Sequence, residues 1–153
     1  MTLEIFNRQR TKKINARLLK QIVGELFAEL KIEQAELGIH LAAAPEMTRW
    51  NEKFLRHAGP TDVITFDYST SRPRIPDPRP QFHGEIFLCV DEAVRQARKF
   101  GTSWQSEVVR YIVHGVLHLL GFDDASAGAR RKMKREENRR LRELSRRFPL
   151  SKL

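Results

Sequence analysis

The chain has 153 residues, 41% of them hydrophobic and 31% charged, with a formal net charge of +9 and one cysteine. That length suits one domain able to bury a core, and the composition excludes disorder throughout. A lone thiol excludes an internal disulfide, and no apolar run approaches the ~20 residues of a membrane span.

The opening "MTLEIFNRQR" lacks the apolar stretch of a secretory signal, so a reducing, cytoplasmic setting is expected. Charge is spread unevenly. Residues 1–20 carry six Lys/Arg against one Glu, and residues 129–147, "ARRKMKREENRRLRELSRR", carry ten against three, which leaves the remainder at −3. Two basic segments on a mildly acidic body read either as a footprint for nucleic acid or as solvated helix faces.

"LEIFN" at 3–7 alternates as a short strand. Ile14, Leu18, Ile22, Leu26 and Leu30 then recur every four residues beside Leu19, Val23 and Phe27, the stripe of an amphipathic helix. "ELGIHLAAA" at 36–44 reads as a strand ended by Pro45. "EMTRWNEKFLRHAG" at 46–59 reads as a helix with Met47, Trp50 and Phe54 on its core face, stopped by Gly59-Pro60.

"TDVITFDY" at 61–68 has the β-branched and aromatic content of a strand. Residues 69–82 hold four prolines with Arg72, Arg74 and Arg79, and predict an extended, mobile loop. "GEIFLCV" at 84–90 is a strand expected to pair with 61–68, with Cys89 as a small core residue. "DEAVRQARKF" reads as a helix closed by Gly101, and Thr102 with Gln105 forms a capping box for another running to about residue 120. Val109, Ile112, Val113, Val116, Leu117 and Leu120 wrap most of that helix, so it should be central and buried. The basic C-terminal segment docks as a last helix through Met133, Leu141, Leu144 and Phe148. The fold class is α/β (α+β), one domain over 1–153, with a small mixed sheet of about four strands covered by helices.

His114 and His118 sit at i and i+4, so a helix presents both imidazoles to one point. Gly121 permits the turn that brings Asp124 back as a third ligand, completing H-x-x-x-H-x-x-G-x-x-D, the spacing of a metzincin zinc helix. Two imidazoles and one carboxylate leave a coordination position open, which marks a catalytic zinc site. A pair of core histidines is the alternative for an isolated HxxxH, but packing gives no reason for the glycine and carboxylate at these offsets. Metzincin peptidases place a general-base glutamate after the first histidine; here that position is Gly115. Metal-activated water can still attack phosphorus, so glycine there and the basic termini shift the expected substrate from peptide to nucleic acid.

"HGVLHLLGFDD" (114–124), with "PTDVITF" (60–66) and "HGEIFLCV" (83–90), resembles the YbeY-type bacterial endoribonucleases, the rRNA maturation factors, in order across nearly the whole chain. The resemblance implies one zinc ion and cleavage of single-stranded RNA in small-subunit rRNA maturation and ribosome quality control. It further implies contact with the ribosome or its proteins, a cytoplasmic location, no membrane and no DNA specificity. Two positions depart from the family pattern. Its third ligand is histidine where this chain has Asp124, with Asp123 as the neighbouring alternative. Its aromatic-arginine pair falls on Phe54 and Leu55, so that Arg56 and His57 become the candidate catalytic groups, either one for phosphate and His57 for a proton.

Thr61 and Asp62 read as site-steadying or turn-forming residues. Glu107 and Tyr111 share a helix face with His114 and are candidate acceptors for its other ring nitrogen. Trp50 and Trp104 read as core or core edge, and His40 and His83 as structural. The rival functions are a metallopeptidase with a displaced base and a ribosome-associated RNA-binding protein without turnover.

Overall fold

The computed structural model describes residues 2–55, 61–68 and 81–153, excepting the side chains of Leu55, Gln81 and Phe82. Arg56 and His57 lie outside these residues, as does nearly all of the proline-rich stretch.

Four strands form one mixed sheet: β1 (Thr2–Asn7), β2 (Gln34–Ala42), β3 (Val63–Asp67) and β4 (Gln81–Cys89), in spatial order β1-β2-β4-β3. β1, β2 and β4 run parallel, and β3 returns antiparallel on β4, the pairing expected from sequence. The register sets Ile5 beside Ile39 and Ile39 beside Ile86, and because side chains alternate, all three face one layer. On that face lie α1 (Ala16–Glu29) and α4 (Trp104–Leu119), which enclose the main core with Leu37, Leu41 and Leu88. α3 (Val90–Phe100) and α5 (Ala127–Arg147) pack on α4 in turn. α4 is therefore the buried helix its sequence predicts, with Val108, Val113, Val116 and Leu117 fully buried.

The opposite face carries Phe87 and Cys89 beneath α2 (Ala44–Trp50), where Met47 is buried and Trp50 packs against the cluster. Pro45 does not end β2. It stands in the first turn of α2, where a missing N–H costs nothing, while Asp91 Oδ2 accepts from Ala44 N at 2.6 Å in place of a side-chain cap. The helix expected over 46–59 ends at Trp50 as an α-helix and continues as a π-helical turn, Asn51–Leu55. The wider turn rotates Phe54 off the core face, so that it is 46% exposed while its ring still stacks on Trp50.

Gly101 closes α3 with φ 68°. The next cap is Ser103, whose Oγ accepts from Ser106 N at 3.1 Å, and not Thr102. Thr102 N still bonds Ala97 O in closing α3, which moves the cap one residue along. Trp104 is half-buried against the main core, as expected of a core edge. His40 lies stacked between Phe6 and Phe87 with Glu85 at 3.2 Å, and His83 faces Glu36 at 3.4 Å. Among the described residues, no helix is long and apolar enough to cross a membrane.

Candidate metal centre

α4 is buried on most sides by its valines and leucines, and the remaining face carries His114 and His118, both half-buried. Their rings lie 4.7 Å apart and nearly perpendicular. The helix ends at Leu119 with Leu120 as its C-cap; Gly121 takes φ 104°, and Phe122 N bonds back to Leu117 O at 3.0 Å. That reversal folds the next residues over the histidines. One donor atom each from His114, His118 and Asp124 then lies within 4.8 Å of the others, so the three can hold a metal ion. Asp123 is otherwise engaged: its Oδ1 accepts from Ala125 N at 3.2 Å. Arg130 Nη1 donates to the Asp124 carbonyl at 3.2 Å and fixes the turn from the first helical turn of α5.

The partner of the other His114 nitrogen is Glu137, on α5. Its Oε2 lies 3.1 Å from Nδ1, and Glu137 is only 7% exposed. With Nδ1–H donating there, Nε2 keeps its lone pair for a cation, the arrangement that orients imidazole ligands. Burial alone pushes the His114 pKa down. The hydrogen bond and charge of Glu137, joined by Asp62 and Asp124, outweigh it and hold the pKa above the usual histidine value. A pocket whose carboxylates favour a proton on imidazole favours a divalent cation for the same reason. Asp62 contributes charge while its Oδ1 accepts from Val63 N at 2.8 Å, so it serves both the turn and the site's field.

Glu107 and Tyr111 do not serve His114. Glu107 Oε1 accepts from Thr102 Oγ1 at 2.9 Å, and the buried Tyr111 hydroxyl makes no hydrogen bond among the described residues. Glu137 escaped sequence reasoning although a signal exists: Met133, Glu137, Leu141 and Leu144 form one stripe, and a carboxylate in an apolar stripe needs a buried partner.

Gly115 follows the first histidine and faces the sheet. A Cβ there lies 2.8 Å from Ile86 Cδ1 and 3.0 Å from Cγ1, so β4 occupies the space a side chain would need. A peptidase's glutamate has no room at this position.

A sequence model of the family described as Endoribonuclease YbeY matches residues 4–145. The chain belongs to that family. A curated endoribonuclease YbeY from Acidothermus cellulolyticus is 38% identical over 140 residues, covering 87% of this chain and 85% of that one. One from Chlorobium luteolum is 33% identical over 150 residues, covering 95% of this chain and 100% of the relative. In three dimensions, a solution structure of a Thermotoga maritima protein matches with a TM-score of 0.63 at 20% identity, covering 94% of this chain and 89% of that one. That likeness bears on the fold, and supports the small mixed sheet with packed helices expected of a YbeY-family chain.

Proposed function

We propose that this YbeY-family chain is a zinc-dependent endoribonuclease acting on single-stranded RNA in small-subunit ribosomal RNA maturation and ribosome quality control. The observation that carries the reading is the convergence of His114, His118 and Asp124 within 4.8 Å, with Glu137 behind one imidazole. Two nitrogens and one oxygen suit a single zinc ion with a coordination position left for water or substrate. When bound, zinc supplies Lewis acidity toward a phosphoryl oxygen and lowers the pKa of water.

The protein's own groups do the remaining work. Glu137 holds the His114 ring in one orientation, and Gly121 and Arg130 set the turn that aims Asp124. Gly115 lets α4 sit close on β4, so both histidines ride on a rigid element. Arg56 and His57 are the groups proposed to contact phosphate and, for His57, to move a proton. Lys and Arg of the terminal segments supply attraction for the RNA backbone, which predicts affinity that falls steeply with salt. The activity is assigned to one domain in the cytoplasm, with the ribosome or ribosomal proteins as partners and no DNA specificity.

The decisive experiment pairs metal analysis with cleavage. The wild type should carry zinc, cut single-stranded RNA and stop when chelated, and His118→Ala should lose both metal and cleavage. Equal cleavage by His118→Ala overturns the assignment. A second reading, an RNA-binding ribosome factor without turnover, is favoured by Leu55 at the family's arginine position. It requires rRNA binding that survives His114→Ala and no cleavage by the zinc-loaded parent.

A further inference from the structure

The nuclease reading leaves the path of the RNA open, and the seam between α4 and α5 supplies one. Two neighbouring bonds cross it: His114 Nδ1 with Glu137 Oε2, and Arg110 Nη1 donating to Asn138 Oδ1 at 2.8 Å. Arg110 precedes His114 by four residues, so it stands on the same helix face about 6 Å along the axis. Its acceptor is a neutral amide, which orients the guanidinium and leaves its charge uncancelled. Among the described residues, Arg110 makes no ion pair.

The cations of α5 divide by flank. Toward α1, Arg140 faces Glu29 at 3.6 Å, and Arg147 pairs with Glu25 and Glu29. On the flank that carries Asn138, Lys134 and Arg142 stand four residues either side of it, with Arg131 a turn before Lys134. All three are exposed and have no carboxylate partner among the described residues. One flank is neutralised against the body of the protein; the other presents free positive charge continuous with the metal centre.

We propose that single-stranded RNA runs along the α4–α5 seam, with Arg110, oriented by Asn138, holding the phosphate next to the one cleaved. The inference rests on the nuclease reading and deepens it. With Nη1 committed to Asn138, Nη2 and Nε remain as a fork for phosphate oxygens, a geometry a lysine ammonium cannot supply. Arg110 is thus a substrate-positioning residue, and Lys134 and Arg142 extend the track by charge alone.

The test is steady-state cleavage of a labelled single-stranded RNA by zinc-loaded protein at several salt concentrations, for the parent, R110Q, R110K, N138A and R139Q. Arg139 points away from the seam and faces Glu136 at 3.7 Å. R110Q should raise KM about fivefold with kcat nearly unchanged, and flatten the dependence of log KM on log salt by about 0.7. R110K should keep the salt slope but share the KM rise. N138A should raise KM less and keep the slope, and R139Q, which removes only long-range charge of the terminal segment, should raise KM less than about twofold. Zinc content and melting temperature, measured on every variant, should not move. R110Q kinetics equal to an active parent's, or R139Q effects as large as R110Q's, overturn the RNA path and leave the nuclease reading standing. A zinc-loaded parent that neither binds nor cuts RNA removes both.

Discussion

Replacing Gly115 with alanine adds one methyl group at the point where α4 meets the sheet. Two effects oppose each other. Alanine is the better helix former by about 1 kcal/mol in a helix interior. Against this, the new Cβ meets three atoms of one side chain, Ile86 Cδ1 at 2.8 Å, Cγ1 at 3.0 Å and Cγ2 at 3.2 Å. Ile86 is fully buried and paired with Ile39 on one side and Thr65 on the other. Rotation about its χ1 cannot withdraw both branches at once, so α4 or β4 must move. Overpacking of this kind costs about 1–3 kcal/mol, and contact with both branches puts this site in the upper half. The net expectation is a loss of about 1–2 kcal/mol, or about 3–6 °C in Tm for a chain of this size. Because His114 is the adjacent residue, the shift should also weaken zinc binding. Thermal denaturation and zinc titration of G115A, I86V and the double variant check the reasoning. I86V removes the Cδ1 that makes the shortest contact, so the double variant should recover about 1 kcal/mol relative to additivity. A G115A protein as stable as the parent, or a cycle without coupling, would falsify the packing argument.

Glu137→Ala strips the acceptor from His114 Nδ1 and should weaken zinc binding about 10–100-fold in a competition titration, whereas a parent-like affinity would deny Glu137 its orienting role. Asp124→Ala should weaken zinc further than Glu137→Ala, while Asp123→Ala, which loses only a turn bond, should leave metal affinity near the parent's; the reverse order would move the ligand to Asp123. Burial pushes the Cys89 thiol up to about 11, so iodoacetamide at pH 8 should label unfolded but not native protein, and stoichiometric native labelling counts against the burial of β4.

The sequence carried the elements whose periodicity is set by burial on one face or all round. The strand-forming runs, the stripe of α1 and the apolar circumference of α4 translate directly into the layers observed. Boundaries were less legible where two local signals compete for the same backbone. Thr102 has the side chain of a cap, but its N–H is taken by the end of α3, so Ser103 caps instead. Phe54 keeps helical spacing from Trp50, yet a π-helical turn has more residues per turn and carries it to solvent. The candidate triad was visible because helix geometry fixes i and i+4, and a glycine after the helix permits only a few reversals. The stripe marks Glu137 as a buried carboxylate, but its partner lies 23 residues away across a helix pair, and no local pattern names which residue it meets.

Aspartate in the position where the family commonly has histidine changes the electrostatics of the proposed centre in a calculable direction. A carboxylate cancels one unit of the ion's charge that an imidazole leaves intact, which reduces its pull on a phosphoryl oxygen. Glu137 and Asp62 lower the local potential further, as the raised pKa of His114 records. A phosphate approaching such a centre meets less attraction from the metal, so more of its binding must come from cations elsewhere. Among the described residues, the α4–α5 seam offers such cations: Arg130 holds the Asp124 carbonyl, Arg110 stands one turn from His114, and Lys134 and Arg142 continue the stripe. In the proposed centre, the Asp124 carboxylate and the basic helix are two halves of one device. Asp124→His, by returning positive charge to the metal, should lessen the dependence of cleavage on Arg110; if R110Q costs as much in the Asp124→His background as in the parent, the two act independently and the compensation argument fails.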